Sequence, residues 1–238
     1  MKWILLLLNA SKLGPALWSS LSIVASIWVY AQFLGWPFAV GFVGLIFVHE
    51  LGHYLAARDR GLDVGLPVFV PFVGAWIALR EQPMNAQTEA YIAYAGPFVG
   101  TIGAYACFWY GRAHGDLLFL VLAKSGFILN LFNLIPVSPL DGGRITAVLT
   151  PRVWLLGVPC LLGLWLYWPS PMLILVAVLA APQIMAAWRY DPALPENHAY
   201  YGVPLATRAL WASLYLGLVL ILVLFIQETQ ALLPRRLG

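Results

Sequence analysis

Charge is scarce in this sequence. Asp, Glu, Lys and Arg together make up 10% of its 238 residues, whereas a globular domain carries about a quarter. That scarcity excludes an ordinary water-soluble surface, and 62% hydrophobic residues with a mean hydropathy of +0.83 point the chain into a lipid bilayer. The net charge of +3 is spread over loops, which speaks against a nucleic-acid partner. Cysteine is nearly absent too. Cys107 and Cys160 sit in separate apolar runs, so neither a disulfide framework nor a cysteine zinc pair is expected, and both read as small buried hydrophobes. No internal repeat, low-complexity tract or soluble domain is apparent.

Long apolar runs are abundant. Crossing a hydrocarbon core about 30 Å thick takes roughly 20 apolar residues, and seven candidate spans follow one another over 16–33, 36–58, 89–110, 117–135, 153–167, 171–188 and 207–226. The start, Lys2 followed by the run Trp3 to Leu8, is too short for a secretory signal and reads as an interfacial segment. With the N-terminus inside, Lys2, Lys12, Arg58, Arg60, Arg80, Arg144, Arg152, Arg189 and Arg208 all fall on the cytoplasmic side. Arg112, Arg235 and Arg236 fall outside, and Lys124 is expected to snorkel outward from the fourth span.

One segment of the second span carries chemistry. Phe47-Val48-His49-Glu50-Leu51-Gly52-His53-Tyr54 contains HExxH, and no proline occurs between Ala39 and Arg58. Residues four apart share a helical face, so His49 and His53 can reach one metal ion while Glu50 acts as general base on a water. Zinc suits such a site, because catalytic zinc takes three protein ligands and keeps a fourth position open. At this chain's histidine and glutamate frequencies a chance HExxH is expected on the order of once in several hundred such sequences. A buried ionisable group in a membrane also costs several kcal/mol unless it is paired or functional. Gly52 permits close approach of another backbone, or simple packing of small residues.

The third ligand must come from elsewhere. His114 falls in an external loop and His198 in a polar loop flanked by Pro192 and Pro195, so neither is well placed. Asp141 is better placed, at the cytoplasmic end of the fourth span in Asn133-Leu134-Ile135-Pro136-Val137-Ser138-Pro139-Leu140-Asp141-Gly142-Gly143. His49 lies about 13 Å of helix from the same end. The chain after Asn133 must then turn, at Pro136 and Pro139, to hold the carboxylate at membrane depth. Gly142 and Gly143 permit a backbone conformation closed to other residues there.

Together HExxH, Ala95-Gly96-Pro97, and an Asn-x-x-Pro followed five residues later by Asp-Gly resemble the site-2 protease family of intramembrane metalloproteases, over about Trp36 to Arg144. The resemblance implies a three-helix catalytic core with His49, His53 and Asp141 on zinc, Glu50 as base, and Asn133 near the scissile carbonyl. Gly100 departs from the family pattern, in which a polar residue often stands three positions after the proline. Between the second and third spans, Val68, Phe69, Val70, Phe72, Val73, Trp76 and Ile77 favour strands, with Phe72-Val73-Gly74-Ala75 as the turn. This matches the re-entrant β-hairpin the resemblance implies beside the active site. Phe69, Val70, Phe72, Val73, Gly74, Ala75 and Trp76 are the expected substrate-binding stretch, capturing an unwound segment by strand addition.

The expectation is an α-helical polytopic membrane protein of about six to seven transmembrane helices with one small β-hairpin. It forms a single domain over 1–238 with its catalytic core at about 36–150, in the compact form without a PDZ or nucleotide-sensing domain. It reads as a multi-pass protein of the cell membrane with its active site toward the cytoplasm, a zinc endopeptidase cleaving transmembrane protein substrates already trimmed by another protease. An inactive zinc-binding scaffold is the first alternative, and Glu50 argues against it. An ion transporter is the second, and the lack of a duplicated pattern argues against that.

Overall fold

The computed structural model describes residues 2–71, 74–76 and 83–234. Helices α1 (Lys2–Leu34) and α2 (Trp36–Asp59) lead to two short strands, β1 (Val68–Val70) and β2 (Gly74–Trp76). Helices α3 (Ala86–His114), α4 (Leu117–Asn133) and α5 (Asp141–Thr146) follow. Then come a 3-10 turn at Pro151–Leu156, α6 (Gly157–Tyr167), α7 (Pro171–Trp188), α8 (Pro195–Tyr201) and α9 (Leu205–Leu232).

Local chemistry sets the breaks. Gly35 takes φ 80° between α1 and α2, with Pro37 in the first turn of α2, and Gly61 takes φ 74° beyond the end of α2. Asn85 caps α3 by accepting from the Thr88 N–H, and Gly115 ends α3 with φ 65°. Asp116 caps α4 at once by accepting from the Leu118 and Phe119 N–H groups, so α3 and α4 fold back as a tight antiparallel pair.

Helix α3 is the centre of the bundle, packed against α2, α4, α5 and α9. Many of its buried residues are small, among them Ala90, Ala93, Gly96, Gly100 and Ala104, and small residues let neighbouring backbones close in. Phe108 of α3 joins Phe127, Leu134, Ile145, Trp211, Leu218 and Leu222 in the main apolar core. Large apolar residues also cover the outside, including Trp18, Trp28, Phe33, Leu166, Val178, Leu216 and Leu220. An outward apolar surface of this extent is what lipid demands.

Among the described residues four helices are long and apolar enough to cross a membrane, at Leu17–Leu34, Trp36–Asp59, Pro171–Trp188 and Leu205–Leu232. This is a helical membrane protein. The expected spans at 89–110 and 117–135 correspond to α3 and α4, and the protected central position of α3 explains its weaker hydropathy. The expected span at 153–167 falls within one continuous apolar helical stretch over Pro151–Tyr167, which begins in 3-10 geometry and goes on as α6. The segment after Met1, expected at the interface, is helical from Lys2 and continuous with α1.

Lys124 Nζ donates to Gln230 Oε1 in the last turn of α9, the end that the expected topology puts outside. Two further expectations change. Cys160 is exposed rather than buried. Gly142 and Gly143 lie in α5 without positive φ. Their role is space, since a Cβ on Gly142 would sit 2.2 Å from Leu134 O and one on Gly143 2.1 Å from the Ser138 nitrogen.

Candidate metal centre

The HExxH helix forms as its spacing requires, with His49, Glu50 and His53 of α2 exposed by only 3%, 8% and 9%. Two glycines bring α3 onto it. A Cβ on Gly52 would lie 2.3 Å from Ala95 O, so the backbones of α2 and α3 touch there. A Cβ on Gly96 would lie 2.2 Å from His53 Nε2, so this glycine makes the space that the imidazole fills. The Ala-Gly-Pro motif is thus a seat for a histidine. Gly52 serves close backbone approach.

Asp141 arrives from the other side. After α4 ends at Asn133 the chain turns through 134–140, and Asp141 opens α5 with its carboxylate buried. The Trp154 indole holds the turn by donating to Gly143 O at 2.7 Å, Thr146 Oγ1 donates to Gly142 O at 2.7 Å, and the Tyr215 hydroxyl of α9 donates to Leu134 O. The result is a triangle of ligand atoms. His49 Nε2 lies 3.1 Å from Asp141 Oδ2, His53 Nε2 lies 3.2 Å from the same oxygen, and the two Nε2 atoms are 3.1 Å apart.

Hydrogen bonds at the far side of each ring decide what that triangle is. His53 Nδ1 lies 2.8 Å from Ile92 O, a carbonyl that can only accept, so Nδ1 carries the hydrogen and Nε2 a lone pair. Asn130 Nδ2 donates to Gly126 O at 2.8 Å, which turns its Oδ1 toward His49 Nδ1, also at 2.8 Å. His49 Nδ1 therefore donates as well, and its Nε2 too is a bare acceptor. With both rings neutral, three lone pairs converge with no hydrogen among them, an arrangement that a cation at its centre would relieve. Tetrahedral zinc bonds of about 2.0–2.1 Å would hold their ligand atoms about 3.3 Å apart, close to the spacing found. Outer partners on both imidazoles are also the usual companions of metal-bound histidine.

Glu50 sits beside this triangle, within electrostatic reach of His49, His53, Asp141 and Arg144. Arg144 approaches Asp141 Oδ1 at 3.8 Å and donates to Glu89 Oε1 at 3.3 Å, and Glu89 Oε2 accepts from the Tyr200 hydroxyl of α8 at 2.6 Å. Burial, and after it the Glu89 carboxylate, hold the Tyr200 phenol well above its ordinary pKa, so it remains a donor. Among the described residues this is the one metal-capable cluster. His114 donates to Tyr110 O at its own exposed helix end, and His198 is exposed on α8.

Asn133, expected near a scissile carbonyl, is half-buried and donates to Leu129 O at 3.1 Å in its own helix. Asn130, which the sequence reading passed over, touches a ligand instead. Its signal was available: an amide inside an otherwise apolar span must face the protein interior. Gly100, the departure from the family pattern, packs against that amide. Of the expected substrate-binding stretch, β1 and β2 pair antiparallel with Phe69 opposite Ala75, Val68 opposite Trp76 and Val70 opposite Gly74. Phe69 is buried, and Val70 is exposed. Phe72 and Val73 lie outside the described residues.

Residues 37–115 match the family described as Peptidase family M50. Over 113 residues, 45% of this chain and 32% of the relative, the sequence is 32% identical to zinc metalloprotease MJ0392 of Methanocaldococcus jannaschii. Over 120 residues, 47% of this chain and 30% of the relative, it is 34% identical to Rip3 of Mycobacterium tuberculosis, which bears the name of a zinc metalloprotease. Over 155 residues, 45% of this chain and 28% of the relative, it is 25% identical to EGY1 of Arabidopsis thaliana, a chloroplastic protein named likewise. The chain spans about a third or less of the length of these relatives. The HExxH helix and the Ala-Gly-Pro seat both lie within the matched stretch, and over that stretch the chain is similar to peptidase family M50 and to these zinc metalloproteases.

Proposed function

We propose that this chain is a zinc-dependent endopeptidase that hydrolyses peptide bonds within transmembrane segments of other membrane proteins, after another protease has trimmed them. The observation that carries the reading is the convergence of His49 Nε2, His53 Nε2 and Asp141 Oδ2 within 3.2 Å of one another, beside a buried glutamate. Zinc held there supplies Lewis acidity and makes water acidic enough to deprotonate near neutral pH. Glu50 takes the proton as water oxygen adds to the peptide carbonyl carbon, and returns it to the leaving amine nitrogen as the C–N bond breaks. Asn133, by letting go of Leu129 O, would turn its amide toward the carbonyl oxygen of the substrate.

A helix in lipid hides its peptide bonds and must open before it can be cut. The strand pair offers an edge for the opened segment, and the edge belongs to β2. The outer side of β1 is already taken, because Ser19 Oγ donates to Pro67 O at 2.6 Å and the Phe69 N–H donates to Ser22 Oγ at 2.9 Å. A substrate strand would therefore align along Gly74–Trp76. The excess of Lys and Arg near the Asp141 end supports a cytoplasmic side for that end.

The test uses purified protein in detergent with a panel of single-span reporter substrates. Wild type should cleave, a zinc chelator should stop it, and added zinc should restore it. Glu50→Gln should keep zinc while the rate falls by about 10² to 10⁴, and the inactive variant should still crosslink to intact substrate. A Glu50→Gln protein cleaving at the wild-type rate would remove the hydrolase mechanism.

A further inference from the structure

Asn130 is 1% exposed, in the last turn of the largely apolar α4. Each polar atom of its carboxamide has one partner in the protein: Nδ2 gives its hydrogen to Gly126 O one turn back, and Oδ1 faces His49 Nδ1. The first bond fixes the orientation of the amide, and through it the second fixes which nitrogen of His49 carries a hydrogen. The facing helix leaves room for nothing else. A Cβ built on Gly100 of α3 would lie 2.4 Å from Asn130 Oδ1, 3.0 Å from Nδ2 and 3.1 Å from Cγ, inside the volume the amide occupies.

We infer that Asn130 is the positioning residue for His49, and that positions 130 and 100 share one amide-sized volume, filled here from α4 because position 100 is glycine. An amide in that volume holds the ring so that Nε2 presents its lone pair toward Asp141 and His53. An apolar group there leaves a buried Nδ1–H without an acceptor, and the ring is then free to turn or to place its hydrogen on Nε2, where it blocks the metal. The residue acts through His49 alone, because its amide is closed off by Gly126 and Gly100.

This inference rests on the proposed zinc site, and zinc binding by the wild-type protein is the separate baseline that tests that reading. The experiment measures zinc affinity by chelator competition in detergent, together with the visible absorption of the cobalt-substituted protein, which reports ligand geometry without activity. Asn130→Leu, similar in volume but without an acceptor, should weaken zinc binding by about 10- to 100-fold and alter the cobalt spectrum. Gly100→Asn alone should also weaken binding, by crowding Asn130. The pair Asn130→Gly with Gly100→Asn returns the amide to the same volume from the opposite helix. It should recover at least tenfold of the affinity lost in Asn130→Gly alone, with a spectrum near that of wild type. Wild-type affinity and spectrum in Asn130→Leu would overturn the inference. If that variant does not fold, the exchange decides: a folded double variant no better than Asn130→Gly overturns it equally.

Discussion

Replacing Gly96 with alanine places a methyl group on the face of the His53 ring, 2.2 Å from Nε2, 2.3 Å from Cε1 and 2.8 Å from Cδ2. Ordinary carbon contact begins near 3.4 Å, so the ring must retreat by about 1.2 Å or α3 must back away from α2 by as much. The helix is not free to do so, because its other faces pack against α4, α5 and α9. The ring is held as well, by its Nδ1 bond to Ile92 O at 2.8 Å. Metal–ligand distances tolerate only about 0.2 Å, several-fold less than the movement required. Gly96→Ala should therefore lower zinc affinity by at least about 100-fold, close to the loss from His53→Ala, and cost about 1–3 kcal/mol of stability from overpacking. Gly44→Ala is the control: it lies on α2, the helix that carries His53, and a Cβ there meets nothing within 4 Å, so zinc binding should be unchanged. Both variants would be measured by chelator competition and by thermal unfolding in detergent. Wild-type zinc affinity in Gly96→Ala would refute the seat argument.

Asp141→Asn should weaken zinc binding and activity together, because a neutral amide leaves more of the metal's charge uncompensated, whereas His198→Ala should do neither; the reverse result would move the third ligand. Glu89→Gln should reduce zinc affinity about three- to tenfold, because Arg144, relieved of its carboxylate partner, turns more fully onto Asp141. An unchanged affinity would show that the Tyr200–Glu89–Arg144 chain stops short of the metal. A reporter inserted near Asn197 should be cytoplasmic, since the Tyr200 contact ties α8 to the Asp141 end of the bundle; an external reporter would invert the orientation.

What the sequence disclosed and what it hid divide by the range of the interactions involved. HExxH is readable because both imidazoles hang from one helix, whose geometry is set by local hydrogen bonds. Asp141 is readable because topology and a short roster of acids leave few rivals. The glycines are half readable: Gly52 and Gly96 announce close approach, but not that one meets backbone and the other an imidazole. For Gly142 and Gly143 conformational freedom was the wrong reason, because the crowding comes from 134–138, a turn whose path no local signal describes. The 3-10 start of the stretch at 151–167 was hidden for a related cause, since an apolar run shows only that a segment avoids water. That run is met by Pro136 and Val137 at Gly157, and α6 packs with α7 on the outside of the same turn. Asn130 lies 81 positions from the histidine it holds, and only assembly of α2, α3 and α4 brings the pair together. The ligands are therefore local in sequence where the metal needs fixed spacing, and the groups that orient them are distant, because the far side of each ring faces a neighbouring helix. Reading a membrane metal site from sequence thus means searching apolar spans for any amide, hydroxyl or small-residue gap that faces inward at the depth of the ligands.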